Sequence, residues 1–433
     1  MSEKPVQKEN SSHRFSLTSP GSPYGVGPVS MITRVLRNAV WLGVGEAVVK
    51  GGLLLTVVIV AHVAGPGGVG TFTIAYSAAL IAVLVGALGQ QEVLIREVAR
   101  SPDGARGLLA NSRFAQIRVA RWLVPAAAIG VLLVPETGLR LALLVFLPYA
   151  VFRTATVTCG AAFKGFDRMD VETRARGLET IAALTLIAVI AILRWPVWTT
   201  GAAFSIGAAL GLIWIRSRVG ELGTGESPLG SSSLLAEGLP FMALAVVSQL
   251  IANGDRFLLE LFGVARTEIG FWGAAGTIVW ALAALPQLIS VALYPSFSRQ
   301  AEAGASARRA GLLAGLGGVI CGVVCAAALW ILGEPVVRLA FGAEFAPAVP
   351  LLQRLSLALP GAFAMTVMGS VYAAWRRQRR VLWVLGGALL VSLALNVMWI
   401  PTLGVLAPAT VAPLIYTLAA VAMGIGIAVS RDN

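Results

Sequence analysis

Seven ionisable side chains stand inside runs of apolar residues long enough to cross a bilayer: Glu46, Lys50, Arg153, Asp255, Arg256, Glu260 and Arg354. A charge in hydrocarbon is costly, so such groups are either neutralised by a partner or placed where water and a ligand reach them. Four of the seven are cations. Guanidinium is planar, permanently charged and able to hold phosphate bidentately. Lys50, Arg153, Arg256 and Arg354 therefore predict a membrane-embedded cavity that binds an anion, with Glu46, Asp255 and Glu260 as coupling or charge-balancing groups. Some of these charges can equally be self-satisfied. Glu46 and Lys50 stand four apart with the acid first, the favourable order for an intrahelical pair, and Asp255 can neutralise an arginine on a neighbouring helix.

The polar residues around these charges fall into stripes. Gln249, Asn253, Arg256 and Glu260 are spaced four, three and four apart, which puts them on one narrow helix face. Tyr149, Arg153, Thr156 and Gly160 repeat the pattern about a hundred residues earlier in the chain. Both stripes suit the wall of a water-filled cavity. Trp280, Ala284, Gln287, Val291 and Tyr294 form an aromatic and amide stripe that suits stacking on sugar rings, or an ordinary packing face. Asn396 and Trp399 allow the same two readings.

The elements that must carry these residues follow from composition. Apolar residues make up 57% of the 433, charged ones only 12%, and mean hydropathy is +0.82, which excludes a soluble domain. Helices are expected at about 35–64, 70–95, 110–134, 139–163, 172–194, 197–217, 235–262, 268–296, 308–332, 346–375, 381–400 and 405–429. Residues 1–30, rich in Ser, Pro and Gly, read as a disordered tail. The expectation is an all-α polytopic membrane protein of twelve transmembrane helices.

The net charge of +12 is distributed in short blocks between spans, a topology signal and not a nucleic-acid footprint. One set of connections carries Arg96, Arg100, Arg106, Arg113, then Lys164, Arg168, Arg174, Arg176, then Arg216, Arg218, then Arg299, Arg308, Arg309, then Arg376, Arg377, Arg379, Arg380. The alternate connections hold only Arg140, Arg194, Arg266 and Arg338. This predicts a cell-membrane protein with both termini and the linker on the cytoplasmic side. A repeat of about 200 residues is visible: Gly65 to Phe72 corresponds to Ala265 to Trp272, and Trp198 to Gly201 corresponds to Pro401 to Gly404. It predicts two pseudo-symmetric six-helix lobes, 31–217 and 234–433, joined by a cytoplasmic linker at 218–233, the usual plan of an alternating-access transporter.

Several chemistries are excluded. Cys159, Cys321 and Cys325 lie within apolar stretches, and His13 and His62 are the only histidines, so neither a metal centre nor a hydrolytic triad is expected. No GxxxxGK[ST] loop occurs, so ATP hydrolysis is not expected. The chain is expected to be no enzyme and to need no cofactor. A membrane-bound glycan polymerase or ligase would need large extracytoplasmic loops, and the loops are short.

Asn253 to Gly263, Glu268 to Ala275 and Leu293 to Arg299 resemble the seventh-to-eighth-helix region of Wzx-type polysaccharide flippases in the MOP exporter superfamily. Phe163 to Met169 resembles their loop after helix 4, and Asn396 to Pro401 with Gly404 their helix 11–12 junction. The resemblance implies a MOP/MATE-like fold and export of undecaprenyl-pyrophosphate-linked oligosaccharide to the outer leaflet, with Asp255 and Arg256 as cavity residues. Its implied partners are that lipid-linked substrate, membrane lipids and the polysaccharide polymerase and export machinery. A proton- or sodium-coupled drug or organic-cation antiporter of the same superfamily is the competing reading, and it requires an acidic cavity.

Overall fold

In a computed structural model of the protein, residues 28–283, 285–287, 290, 306–375 and 377–429 are described. Residues 1–27 of the expected tail at 1–30, the positions Ala284, Val291 and Tyr294 of the aromatic stripe, the segment Leu293 to Arg299, and Arg376 lie outside the described residues, and 28–30 begin a helix. The helices are α1 (Pro28–Ala87), α2 (Gln90–Arg100), α3 (Ala105–Leu132), α4 (Thr137–Gly165), α5 (Met169–Ile192), α6 (Thr200–Ser217), α7 (Ser231–Asn253), α8 (Asp255–Leu261), α9 (Arg266–Leu282), α10 (Ser306–Phe341), α11 (Ala348–Ser356), α12 (Leu359–Ala374), α13 (Gln378–Leu403) and α14 (Leu406–Ala428).

α1 would be about 90 Å long if straight, three times a hydrocarbon core of about 30 Å. It breaks at Gly65, whose φ of 60° and ψ of −167° are open to glycine alone, and Pro66 removes the next amide donor. Two spans result. Among the described residues ten helices are long and apolar enough to cross a membrane, and α11 with α12 forms another span bent by 43°. With α1 counted as two, the twelve expected spans are present.

Besides the bend between α11 and α12, three further boundaries differ from expectation. The second span ends at Ala87, because Leu88 and Gly89 both take positive φ, and α2 starts anew with Val93, Leu94 and Val98 on its buried side. The seventh span is interrupted at Gly254, between Asn253 and Asp255. α10 runs on through Pro335 to Phe341, beyond the expected end at 332.

Within the first half, α1, α4, α5 and α6 pack together; within the second, α10, α12 and α14 do. α3, α7 and α13 are the least buried spans. Across the halves α1 packs on α9. That contact is reciprocal at the 200-residue repeat: a Cβ at Gly70 would overlap the Arg266 carbonyl oxygen, and one at Gly270 would overlap that of Pro66. Two equivalent glycines thus let the halves meet backbone to backbone, as helices do in membranes. At the opposite, Arg-rich end (the basic face), Arg96 pairs with Glu237. There the linker lies on the α2–α3 loop: Gly225 N–H donates to the Asp103 carbonyl at 2.7 Å, and the Asn111 amide donates to that of Leu229 at 2.9 Å.

Candidate functional site

A central cavity of about 380 Å³ lies between the two halves, lined from α1, α7, α8, α9, α12 and α14. Of the expected residues it gathers Lys50, Gln249, Asn253, Arg256, Trp280 and Gln287. Helix geometry explains the grouping: the stripe survives the break at Gly254, since that one residue keeps right-handed helical dihedrals (φ −69°, ψ −24°) and leaves Arg256 on the same face as Asn253. Glu260 leaves the stripe. It pairs at 2.6 Å with Arg266, which also pairs with Glu136 of the first half, at the end of the molecule where Gly70 meets Gly270.

Arg256 is the distinctive group of this cavity. It is only 7% exposed, its Nη1 donates to the Ser77 hydroxyl at 2.5 Å, and its Nε has no partner among the described residues. Neither Arg256 nor Lys50 forms an ion pair with a described residue, and no carboxylate is among the lining residues. Among the described lining residues the charged side chains are thus both cations, with Asp255 beside Arg256 and Glu46 one turn from Lys50 as counter-charges that line other cavities. An anion entering the central cavity replaces water on a guanidinium already desolvated, where charge-assisted bonds are strongest. The Gln249 amide nitrogen, also buried without a partner, offers a further donor. Trp280 meets the Tyr416 ring at 5.2 Å between centroids, forming an aromatic wall beside these donors.

A second cavity of about 220 Å³ lies within the first half and holds Glu46, Lys50, Tyr149, Arg153, Arg176 and Glu179 among its walls. Here the charges are paired: Arg153 with Glu179 at 2.8 Å and Glu46 with Arg176 at 2.7 Å. Two expectations are corrected. Arg153 is not a free cation, because an acid on the next helix, invisible to same-helix spacing, neutralises it. Glu46 takes Arg176 as its partner in place of Lys50, which leaves the lysine without an ion pair to a described residue; Lys50, Leu53, Tyr76 and Leu80 line both cavities. Arg176, expected in a connection, is on α5 inside the lobe. Glu172, Arg176 and Glu179 are four and three apart, a stripe of the kind recognised on α4 and α7, and it signals this charged face.

The remaining expected residues lie elsewhere. Asp255, next to Arg256 in sequence, is turned to the other side of α8, into a small cleft with Ser392, Asn396 and Tyr416. Its carboxylate accepts the Trp272 indole N–H at 3.0 Å and the Arg256 backbone N–H at 2.8 Å. Asn396 donates to the Ser392 carbonyl at 2.9 Å, and its amide oxygen is buried without a partner. Arg354 is not among the cavity's lining residues: it is on the exposed side of α11, whose opposite side buries Leu351, Leu352 and Leu355. Ser77, Thr277 and Tyr416 belong to the site region without any prior signal, because neutral residues in an apolar helix carry none.

Twelve spans in two halves related by a repeat, meeting around a cationic cavity, define a multi-pass membrane protein with the MOP transporter fold. Residues 35–301 match the family model described as "Polysaccharide biosynthesis protein", and the chain belongs to this family. Solved structures agree in fold. An inward-facing multidrug resistance MATE family transporter of the MOP superfamily matches with a TM-score of 0.69 at 15% identity, covering 88% of this chain and 94% of that one. The lipid II flippase MurJ in an inward closed conformation matches with a TM-score of 0.70 at 12% identity, covering 92% and 87%. A MOP superfamily transporter from Pyrococcus furiosus, described by a reverse polarity of its binding pocket, gives 0.66 at 15% identity, covering 91% and 94%. No curated protein matches the chain by sequence.

Proposed function

We propose that this protein flips a polyprenyl-pyrophosphate-linked oligosaccharide from the cytoplasmic to the outer leaflet by alternating access, for surface polysaccharide synthesis. The carrying observation is the central cavity in which Arg256 and Lys50 stand without any carboxylate among the lining residues. A pyrophosphate fits that charge, whereas an organic cation would need acids that the described lining residues do not supply. Glycan rings fit the adjoining Trp280 and Tyr416. The family description, polysaccharide biosynthesis, supports the same cargo class.

Of the three acids considered for coupling, Glu46 and Glu260 are each neutralised by an arginine. Asp255 is left as the group that holds a counter-ion or balances Arg256 during transport. An anion leaving a negative-inside cell gains about 2.3 kcal/mol per charge per 100 mV, sufficient to bias export if the charge moves with the head group. The basic face is taken as cytoplasmic, so a Cys placed at Ser227 reacts with an impermeant reagent only after the cells are opened. The function itself is tested by deleting the gene in its host: a lipid-linked glycan accumulating on the cytoplasmic leaflet is expected, and its absence with normal surface glycan contradicts the assignment.

A further inference from the structure

A third concavity, of about 190 Å³, is cut into the outer side of the first half between α1, α3 and α4. Its walls are apolar along most of their length, with Ala82, Leu123, Ala127, Leu147 and Val151 among them. Arg113 and Arg216 stand at its basic-face end. Neither arginine makes an ion pair or side-chain hydrogen bond with a described residue. The groove shares no described lining residue with the central cavity. From Arg113 to Ala127 the helix rises about 21 Å, more than the roughly 15 Å half-thickness of a hydrocarbon core.

We propose that this groove holds a phospholipid of net negative head group from the leaflet at the basic face. Its phosphate sits between Arg113 and Arg216, and one acyl chain lies along Ala82, Leu123 and Val151. The guanidinium pair supplies what a zwitterionic head group would satisfy only in part, because such a lipid brings its own cation to two unpaired cations. An apolar chain is the natural occupant of a lipid-facing cleft that water cannot enter without leaving its hydrogen bonds unmade. Arg118 and Arg121 are on the neighbouring exposed face of α3, outside the groove, and separate a specific site from general attraction of anionic lipid.

The test is native mass spectrometry of the full chain released from nanodiscs of equimolar anionic and zwitterionic phospholipid with a trace of undecaprenyl phosphate. One anionic phospholipid retained per chain is expected. Arg113→Gln with Arg216→Gln should lower that retention roughly thirtyfold, the effect of two interfacial arginines, while Arg118→Gln with Arg121→Gln should leave it unchanged. Val151→Trp, which fills the groove with both arginines in place, should also displace the lipid. Equal loss in both arginine pairs would reduce the effect to diffuse charge and overturn the site. Preferential retention of the polyprenyl phosphate would overturn the phospholipid assignment, and unaltered retention in Val151→Trp would overturn the place of the chain.

Discussion

Arg153 and Arg256 are both guanidiniums buried at membrane depth, yet their surroundings differ in one respect that separates architecture from function. In the cavity of the first half, Arg153 has Glu179 and Arg176 has Glu46, so ion pairs hold α1, α4 and α5 together. In the central cavity, Arg256 has the Ser77 hydroxyl and no ion pair with a described residue, and the adjacent acid, Asp255, lines a different cleft. A buried pair compensates its own desolvation, whereas a buried lone cation is kept at a cost that folding alone does not explain. The paired arginine thus reads as part of the frame, and Arg256 is the one we propose for the ligand.

The comparison breaks first at the pair. Glu179→Gln leaves Arg153 buried without its counter-charge and should destabilise the protein by about 3–5 kcal/mol, read as thermal unfolding in detergent. Arg153→Met combined with Glu179→Leu should recover most of that loss. If Glu179→Gln unfolds at the wild-type temperature, the pair is not structural.

Lys50 lines both cavities and has no ion pair, so it sharpens the boundary between them. Lys50→Gln should lower export by about tenfold or more, the loss of one charge-assisted bond to the cargo, with normal protein level in the membrane. Loss of protein in proportion to export would move Lys50 to the frame.

The reciprocal glycine contact should set the conformational balance. Gly270→Val places side-chain atoms where the Pro66 carbonyl stands, so the halves must part at that end. Spin labels on Pro66-adjacent and Arg266-adjacent positions should report a longer distance than in the wild type, and an unchanged distance would contradict the contact. The smallest effect is expected at Arg266→Gln. Its bonds to Glu136 and Glu260 are partly exposed, and such pairs contribute at most about 1 kcal/mol each, so unfolding should move little.

Most of the fold was legible in the sequence, because span length, the alternation of Arg-rich connections and the repeat each constrain the same twelve helices. The breaks at Leu88, Gly254 and Leu357 were not, since a broken span keeps the hydropathy of an intact one. The site was legible where residues fall on one continuous helical face: the stripe running from α7 into α8 brought Gln249, Asn253 and Arg256 together. It failed where partners come from different helices, which is how Glu179 and Arg176 escaped and how Arg153 was taken for a free cation. Arg354 failed for another reason: one arginine in an apolar run says nothing about which side of the helix faces inward, and α11 turns it out.

The central claim is that Arg256 carries the anionic head group. Its most direct test is flipping of a polyprenyl-pyrophosphate-linked oligosaccharide in proteoliposomes, comparing wild type, Arg256→Gln, Arg256→Lys and the Arg153→Met with Glu179→Leu pair. Loss of one charged hydrogen-bonding group to the cargo predicts a fall of about ten- to hundredfold for Arg256→Gln. Arg256→Lys should recover only part of it, because the ammonium lacks the bidentate fork. The compensated pair should flip near the wild-type rate. Wild-type flipping by Arg256→Gln, in protein that is folded and correctly inserted, would contradict the account.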